Sequence, residues 1–135
     1  MTLSNKELEK RINTLDLSLF SQIESQSNDA EKKSFLLLQK IIRNTIASYT
    51  YLEIGSHLGG SLQSYFIDPK CRRIFSIDKR PTSQPDIRGK HYFYENNSTQ
   101  RMLANLKQAF PDGNLDKLTT IDKSTNEIDT NFLPI

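Results

Sequence analysis

The chain has 135 residues, of which 36% are hydrophobic, and it carries a formal net charge of +2. This length suits one domain with a modest core. The charges are interleaved, which argues against a nucleic-acid partner, and no apolar run is long enough to cross a membrane. The single cysteine, Cys71, excludes an intrachain disulfide. Without a leader-like N-terminus, we expect a cytoplasmic protein.

Two amphipathic helices are predicted in residues 1–48, which we treat as an N-terminal helical segment. The first covers about residues 4–20, where apolar side chains recur at spacings of three and four. A polar stretch separates it from the second, which is predicted over about residues 29–47. The buried stripe predicted for the second helix consists of Phe35, Leu38, Ile42 and Ile46.

The pattern then changes to strand, helix, strand. Residues 51–54 form a continuous apolar run around one carboxylate, which predicts a parallel strand buried on both faces. The helix predicted after Gly55 ends at Asp68-Pro69, with Cys71 near its end, and residues 74–77 form the next strand. These elements predict a βαβ unit with a right-handed crossover.

The rest of the chain adds one helix and one strand to this unit. Residues 79–90 predict a loop, because they hold two prolines and a glycine, and residues 91–94 predict a short extended piece. A helix is predicted from Asn97, and residues 118–121 predict a third strand. The predicted fold class is therefore α/β: an incomplete Rossmann-like parallel sheet of three strands with flanking helices, preceded by two N-terminal helices.

Each predicted strand ends near a carboxylate. Glu53 stands at the tip of the first strand, Asp78 directly follows the second, and Asp122 directly follows the third. Ligands bind at the carboxyl ends of strands in open parallel sheets. Asp78 is placed to accept hydrogen bonds from a ribose diol, and Asp122 would then lie near the base. These positions predict a nucleotide-type cofactor at this edge of the sheet.

The loop Glu53-Ile-Gly-Ser-His-Leu-Gly-Gly-Ser61 narrows the choice of cofactor. Gly55 permits a tight turn, Gly59 lets the backbone approach a ligand, and the helix that follows would aim its N–H groups at an anion. The loop lacks the lysine of a P-loop, and His57 occupies the second glycine position of a dinucleotide fingerprint. A carboxylate at Glu53 suits a cofactor with an ammonium group, such as S-adenosylmethionine.

The same loop resembles motif I of class I S-adenosylmethionine-dependent methyltransferases, in the E-x-G-x-x-x-G-x-S variant of catechol-type O-methyltransferases. The resemblance implies that Gly55 and Gly59 line the methionine moiety, that Ser61 contacts its carboxylate and that Asp78 holds the ribose hydroxyls. It also implies that residues 49–135 are the N-terminal half of a Rossmann-like cofactor-binding domain.

The predicted cofactor-binding residues are Glu53, Gly55, Ser56, His57, Gly59, Ser61, Asp78 and Asp122. Seven of them have a second interpretation. Gly55, Gly59 and Asp78 could form an ordinary βαβ turn with a solvated acid, and His57 could pack against the protein or face water. Glu53 could orient the loop by hydrogen bonds, Ser61 could bond to its own helix, and Asp122 could cap a following helix. No residue stands out as a general base, and no cluster has the spacing of a metal site, so we assign no catalytic residue and no metal.

We therefore expect the cofactor-binding half of a methyltransferase whose partner is a small-molecule or saccharide hydroxyl. The family sheet has seven strands and this chain supplies three, so we expect a shortened version of a longer enzyme, or else a half-domain that relies on a partner. Two alternatives stay open: a fragment of an NAD-type oxidoreductase, and an interaction module that pairs through its half-sheet, including with a second copy.

Overall fold

The computed structural model describes residues 2–85, 89, 91–129 and 131. Within these residues the chain forms four α-helices and five strands. In chain order they are α1 (Asn5–Asn13), α2 (Asp29–Thr45), β1 (Tyr49–Ile54), α3 (Gln63–Phe66), β2 (Cys71–Ile77), β3 (Ser83–Pro85), β4 (His91–Phe93), α4 (Thr99–Ala109) and β5 (Leu118–Ile121). Short 3₁₀ helices cover Leu17–Phe20, Leu115–Lys117 and Thr125–Glu127. No described helix has the length and apolar character needed to cross a membrane.

The main sheet contains β1, β2 and β5, all parallel, in the order β1-β2-β5. This confirms the predicted α/β class, an incomplete Rossmann-like sheet with flanking helices. Ile54 pairs with Ile77, and Ile77 pairs with Ile121, so the three strands end at the same level. The residues that follow the three strands therefore lie together at the carboxyl end of the sheet.

A small antiparallel hairpin, β3 with β4, is inserted between β2 and α4. Part of the region predicted as a loop is therefore a strand, and the extended piece predicted at residues 91–94 is confirmed as β4. Residues 86–88 and 90 of the predicted loop lie outside the described residues.

Two apolar clusters form the core. The larger lies between the sheet, α3 and α4, and its buried members are Ile23, Leu62, Tyr65, Phe66, Cys71, Ile74, Met102, Leu106 and Phe110. The smaller lies between α1, α2 and the first 3₁₀ helix, and its buried members are Leu8, Ile12, Leu19, Phe20 and Leu36. Phe35 packs against both clusters, so the N-terminal helices join the core of the sheet.

The first helix is shorter than predicted. α1 begins after Ser4, whose side chain accepts a hydrogen bond from the Glu7 N–H, but it ends at Asn13. Leu15 then adopts a left-handed conformation, with φ at +54°. The Asp16 side chain caps a separate 3₁₀ helix by accepting a hydrogen bond from the Ser18 N–H. Local side-chain bonding therefore interrupts a continuous apolar periodicity.

The buried face of α2 also differs from the predicted stripe. Leu36, Gln39 and Arg43 are its buried residues, whereas Leu38 and Ile46 are exposed. Gln39 and Arg43 point inward because both donate hydrogen bonds to the buried carboxylate of Asp68. Apolar periodicity carries no information about such a partner.

The environment of β1 corrects a second expectation. Among the described residues β1 pairs only with β2, so it forms an edge of the sheet. Its burial alternates, with Leu52 40% and Ile54 62% exposed, and the prediction of a strand buried on both faces is wrong. Cys71 begins β2 and does not end a helix, and Ser98, one residue after the predicted start, caps α4.

Candidate functional site

A cavity of about 550 Å³ lies across the carboxyl ends of the three parallel strands. Its wall includes residues that follow each strand. Among the lining residues are Gly55 and His57 after β1, Asp78 after β2, Ser124 after β5, and Tyr94 and Asn97 before α4. The structure thus brings three of the eight predicted site residues, Gly55, His57 and Asp78, to one cavity.

The loop after β1 forms a sequence of tight turns. Gly55 has φ at +80°, and a Cβ atom there would contact nothing within 4 Å, so the backbone conformation is what requires glycine. The regular helix α3 begins only at Gln63 and has four residues. The expectation that a helix begins at the loop and aims its N–H groups at a ligand is therefore wrong, because turns occupy that position.

Asp78 holds this loop through backbone hydrogen bonds. One carboxylate oxygen, Oδ2, accepts the His57 N–H at 2.8 Å, and the other, Oδ1, accepts the Arg80 N–H at 2.8 Å. A carboxylate offers about four acceptor positions. Among the described residues Asp78 has no further donor, so about two of its acceptor positions are open to the cavity, which would be enough for the two hydroxyls of a ribose.

Arg80 is one of the residues near the site that sequence reasoning missed. It is 4% exposed, and its guanidinium spans the strand ends. Nε donates to the His57 carbonyl at 2.7 Å, Nη2 donates to Ser76 Oγ at 2.7 Å, and Nη1 donates to Thr99 Oγ1 at 3.0 Å. Arg80 therefore joins the loop after β1 to β2 and to the first turn of α4.

Burial lowers the pKa of Arg80, while Asp78, Asp122 and Glu53 act in the opposite direction. The guanidinium thus keeps its charge among three carboxylates. Its neighbours in sequence, Lys79 and Pro81, are typical of an exposed turn. Its position two residues after Asp78 could have predicted it, because the carboxylates that follow the other strands lie at the same end of the sheet.

Asp122 lies at the end of β5 but is not among the described residues that line the cavity. Its Oδ1 accepts the Thr99 hydroxyl at 2.6 Å and lies 3.7 Å from Arg80 Nη1, and its side chain is 59% exposed. It therefore links β5 to α4. Lys123 and Ser124, which directly follow Asp122, do line the cavity.

Glu53 and Ser61 face each other behind the loop. Ser61 Oγ donates to one Glu53 oxygen at 2.6 Å, and the Tyr51 hydroxyl donates to the other at 2.7 Å. Burial raises the pKa of Glu53, and these hydroxyls partly counteract the rise. In this arrangement Glu53 orients the loop, and neither side chain is among the described residues that line the cavity.

Gly59 and Ser56 are buried in the packing of the loop. Gly59 has φ at +93°, and a Cβ atom there would lie 3.2 Å from Met102 Cγ, so the loop packs closely on α4 at this point. The Ser56 hydroxyl is near Glu53 but forms no hydrogen bond of ordinary geometry within the described part of the chain. Gly59 and Ser56 therefore contribute to the packing of the loop.

His57 and Asn97 form the other wall of the cavity. The His57 ring lies 5.3 Å from the Tyr94 ring, and burial lowers the pKa of His57, while Asp78 and Asn97 counteract the effect. Asn97 is 7% exposed, and its Nδ2 donates to the Pro81 carbonyl at 2.8 Å. Its Oδ1 lies near the His57 side chain but accepts no hydrogen bond of ordinary geometry within the described part of the chain. A buried acceptor in a cavity wall is suited to a donor group of a ligand.

The site therefore combines acceptor groups in the cavity wall with a glycine-containing loop that is held by hydrogen bonds from Asp78 and Arg80. Among the described residues no group of three or more His, Cys, Asp or Glu side chains could hold a metal ion. The chain matches no protein-family model. It also matches no curated protein and no solved structure. The geometry of the cavity is thus the basis for a functional proposal.

Proposed function

We propose that this chain binds S-adenosylmethionine in the cavity at the strand ends, as the cofactor-binding half of a methyltransferase that acts on a small-molecule or saccharide hydroxyl. One observation carries the proposal. Gly55 and Asp78 line the same cavity, the loop between them is bonded to the Asp78 carboxylate through His57, and that carboxylate keeps acceptor positions for a diol.

The order of the strands suggests how the cofactor would lie. Neighbouring strands are about 4.8 Å apart, so the three ends span roughly 10 Å. With the ribose on Asp78 at the central strand, the methionine moiety would extend towards Gly55 and the adenine towards Ser124. The bound cofactor supplies an electrophilic methyl group. The protein would contribute orientation, since in-line transfer gains much of its rate from positioning.

Calorimetry with S-adenosylhomocysteine tests the proposal directly. The 135-residue chain should bind one molecule saturably, and NAD should not compete, because the loop lacks the glycine pattern that a pyrophosphate needs. A chain that gives neither heat nor a thermal shift with S-adenosylhomocysteine would contradict the proposal. Stabilisation by NAD alone would instead select the oxidoreductase alternative.

The edge strand favours a second candidate, an interaction module that pairs with a second copy of itself. Leu52 and Ile54 are exposed on β1, and a groove of about 530 Å³ beside the strand is lined in part by Leu38 of α2 and by Ile46, which follows α2. Two β1 edges related by a two-fold axis would pair antiparallel and cover both apolar grooves. Sedimentation should then show a dimer that Leu52→Lys dissociates. A wild-type monomer would remove this candidate.

A further inference from the structure

We propose that Gln26, which lies in a segment of residues 22–27 here called the strap, forms part of the wall of the cofactor cavity, and that its side chain contacts the amino-acid end of the bound cofactor. This inference rests on the proposed function and assigns a residue outside the motif-like loop. The strap precedes α2 and belongs to the polar stretch between the N-terminal helices. Gln26 lines the cavity together with Gly55 and Asp78.

The strap is fixed to the rest of the molecule by one buried side chain. Gln63 Oε1 accepts the N–H groups of Gln22 and Ile23, each at 3.0 Å. Gln63 Nε2 donates to the carbonyls of Phe20, Ile23 and Gly60 at 2.8–2.9 Å. Since the Gln63 side chain bonds to the strap and to the cofactor loop together, it holds the two in one arrangement.

Direct backbone contact strengthens this connection. A Cβ atom on Gly60 would lie 2.4 Å from the Glu24 carbonyl oxygen and 2.7 Å from Ser25 Cα. Only glycine lets the loop and the strap approach this closely. Ile23 also packs into the larger apolar cluster. The strap is thus fixed against the loop that follows β1.

The position of the strap decides which part of the cofactor it meets. Asp78 follows β2, the central strand, and Ser124 follows β5 on one side of it. The strap contacts the loop after β1, on the other side. With the ribose on Asp78 and the base towards β5, the amino-acid end extends to the side that Gln26 occupies. A glutamine amide suits this end, because it can donate to a carboxylate and accept from an ammonium.

Two probes separate this contact from general cofactor binding. S-adenosylhomocysteine carries the amino-acid end, and 5′-methylthioadenosine lacks it while keeping the nucleoside and the thioether. Gln26→Ala should weaken S-adenosylhomocysteine binding roughly tenfold, as expected for losing a hydrogen bond to a charged group, and leave 5′-methylthioadenosine binding unchanged. Gln22→Ala is the matched control, because it alters an exposed glutamine of the strap and keeps the backbone bond to Gln63.

Every outcome of this calorimetric comparison decides something. Equal affinities of wild type and Gln26→Ala for S-adenosylhomocysteine would overturn the inference and leave the proposed function standing. An equal loss for both probes would overturn the assignment to the amino-acid end. If wild type binds neither probe, the proposed function fails and the inference fails with it. Melting temperatures of both variants should stay at the wild-type value, because both glutamines are exposed.

Discussion

The two ends of the sheet each contain an aspartate near a buried arginine, and their hydrogen bonding differs. At the amino-terminal end, Asp68 is fully buried and receives four donors. Its Oδ1 accepts from Arg43 Nη1 and from the Lys70 N–H, and its Oδ2 accepts from Gln39 Nε2 and the Tyr49 hydroxyl. These donors fill the acceptor capacity of a carboxylate.

At the carboxyl end, Asp78 receives two backbone donors and lines a cavity. The nearby Arg80 side chain donates to the loop after β1, to β2 and to α4. Its guanidinium therefore does not occupy the acceptor positions of the Asp78 carboxylate. A carboxylate whose acceptor positions are all filled stabilises the fold. A carboxylate with open acceptor positions can also bind a ligand. Four substitutions test this distinction.

The largest effect is expected at Asp68. Asp68→Ala leaves the Arg43 guanidinium buried without its partner, which should lower the free energy of unfolding by about 3–5 kcal/mol. Urea denaturation measures the loss. Asp116→Ala, at an exposed aspartate, is the control and should change it by less than about 0.5 kcal/mol. A small effect at Asp68 would mean that the saturated network is not a source of stability.

Arg80→Met should affect both stability and binding. It leaves the His57 carbonyl and the Ser76 hydroxyl without a donor, so we expect a loss of about 3 kcal/mol in unfolding free energy together with weaker S-adenosylhomocysteine binding. Arg80→Lys should recover only part of each, because a single ammonium cannot bridge the same partners. If Arg80→Met lost stability but kept full affinity, Arg80 would belong with the structural network.

Asp78→Asn should lower both binding and stability, because the amide nitrogen replaces one of the two oxygens that accept the His57 and Arg80 N–H groups. An amide offers fewer acceptor positions, and we expect S-adenosylhomocysteine affinity to fall at least tenfold, about 1.4 kcal/mol or more. Asp122→Asn is the control variant, because Asp122 is exposed and is not among the described residues that line the cavity. The affinity of this variant for S-adenosylhomocysteine should change less. Equal losses for the two variants in calorimetry would remove the special role of the partly filled carboxylate.

The smallest effect is expected at Glu53 and depends on pH. Burial raises its pKa above the ordinary value of 4.5, so ionisation of Glu53 disfavours the folded state. Its contribution to stability is therefore present below about pH 4.5 and is lost as the pH rises through the raised pKa. Relative to wild type, Glu53→Gln should become more stable as the pH rises above about 4.5. A pH-independent difference in urea midpoints would contradict this explanation.

Much of the fold follows from local pattern. Strand β5 agrees with its prediction over residues 118–121, because a β-branched run acts over a short distance. The face of α2 could not be predicted in this way. Gln39 and Arg43 are buried by a contact with Asp68, which is more than twenty residues away in sequence, and a periodicity of apolar residues contains no trace of it.

The site was predictable to the extent that strand ends converge. Gly55, His57 and Asp78 meet in the cavity because parallel strands with matched register end together. Arg80 and Asn97 were missed, since each depends on how the segment after β2 folds back over the loop. Gln26 was missed because a polar stretch between helices is typical of an exposed connection. The bonds from Gln63 and the close contact of the strap with Gly60 bring it to the cavity.

The backbone of His57 has an entropic consequence for binding. Its φ of +50° is a strained conformation for a residue other than glycine, at a cost on the order of 1–3 kcal/mol. The bonds from its N–H to Asp78 and from Arg80 to its carbonyl maintain that conformation without a ligand. A cofactor would therefore meet a loop that is already ordered, and little chain freedom would be lost on association. Slow hydrogen exchange of the His57 amide in the unliganded chain would be the signature of this preorganisation.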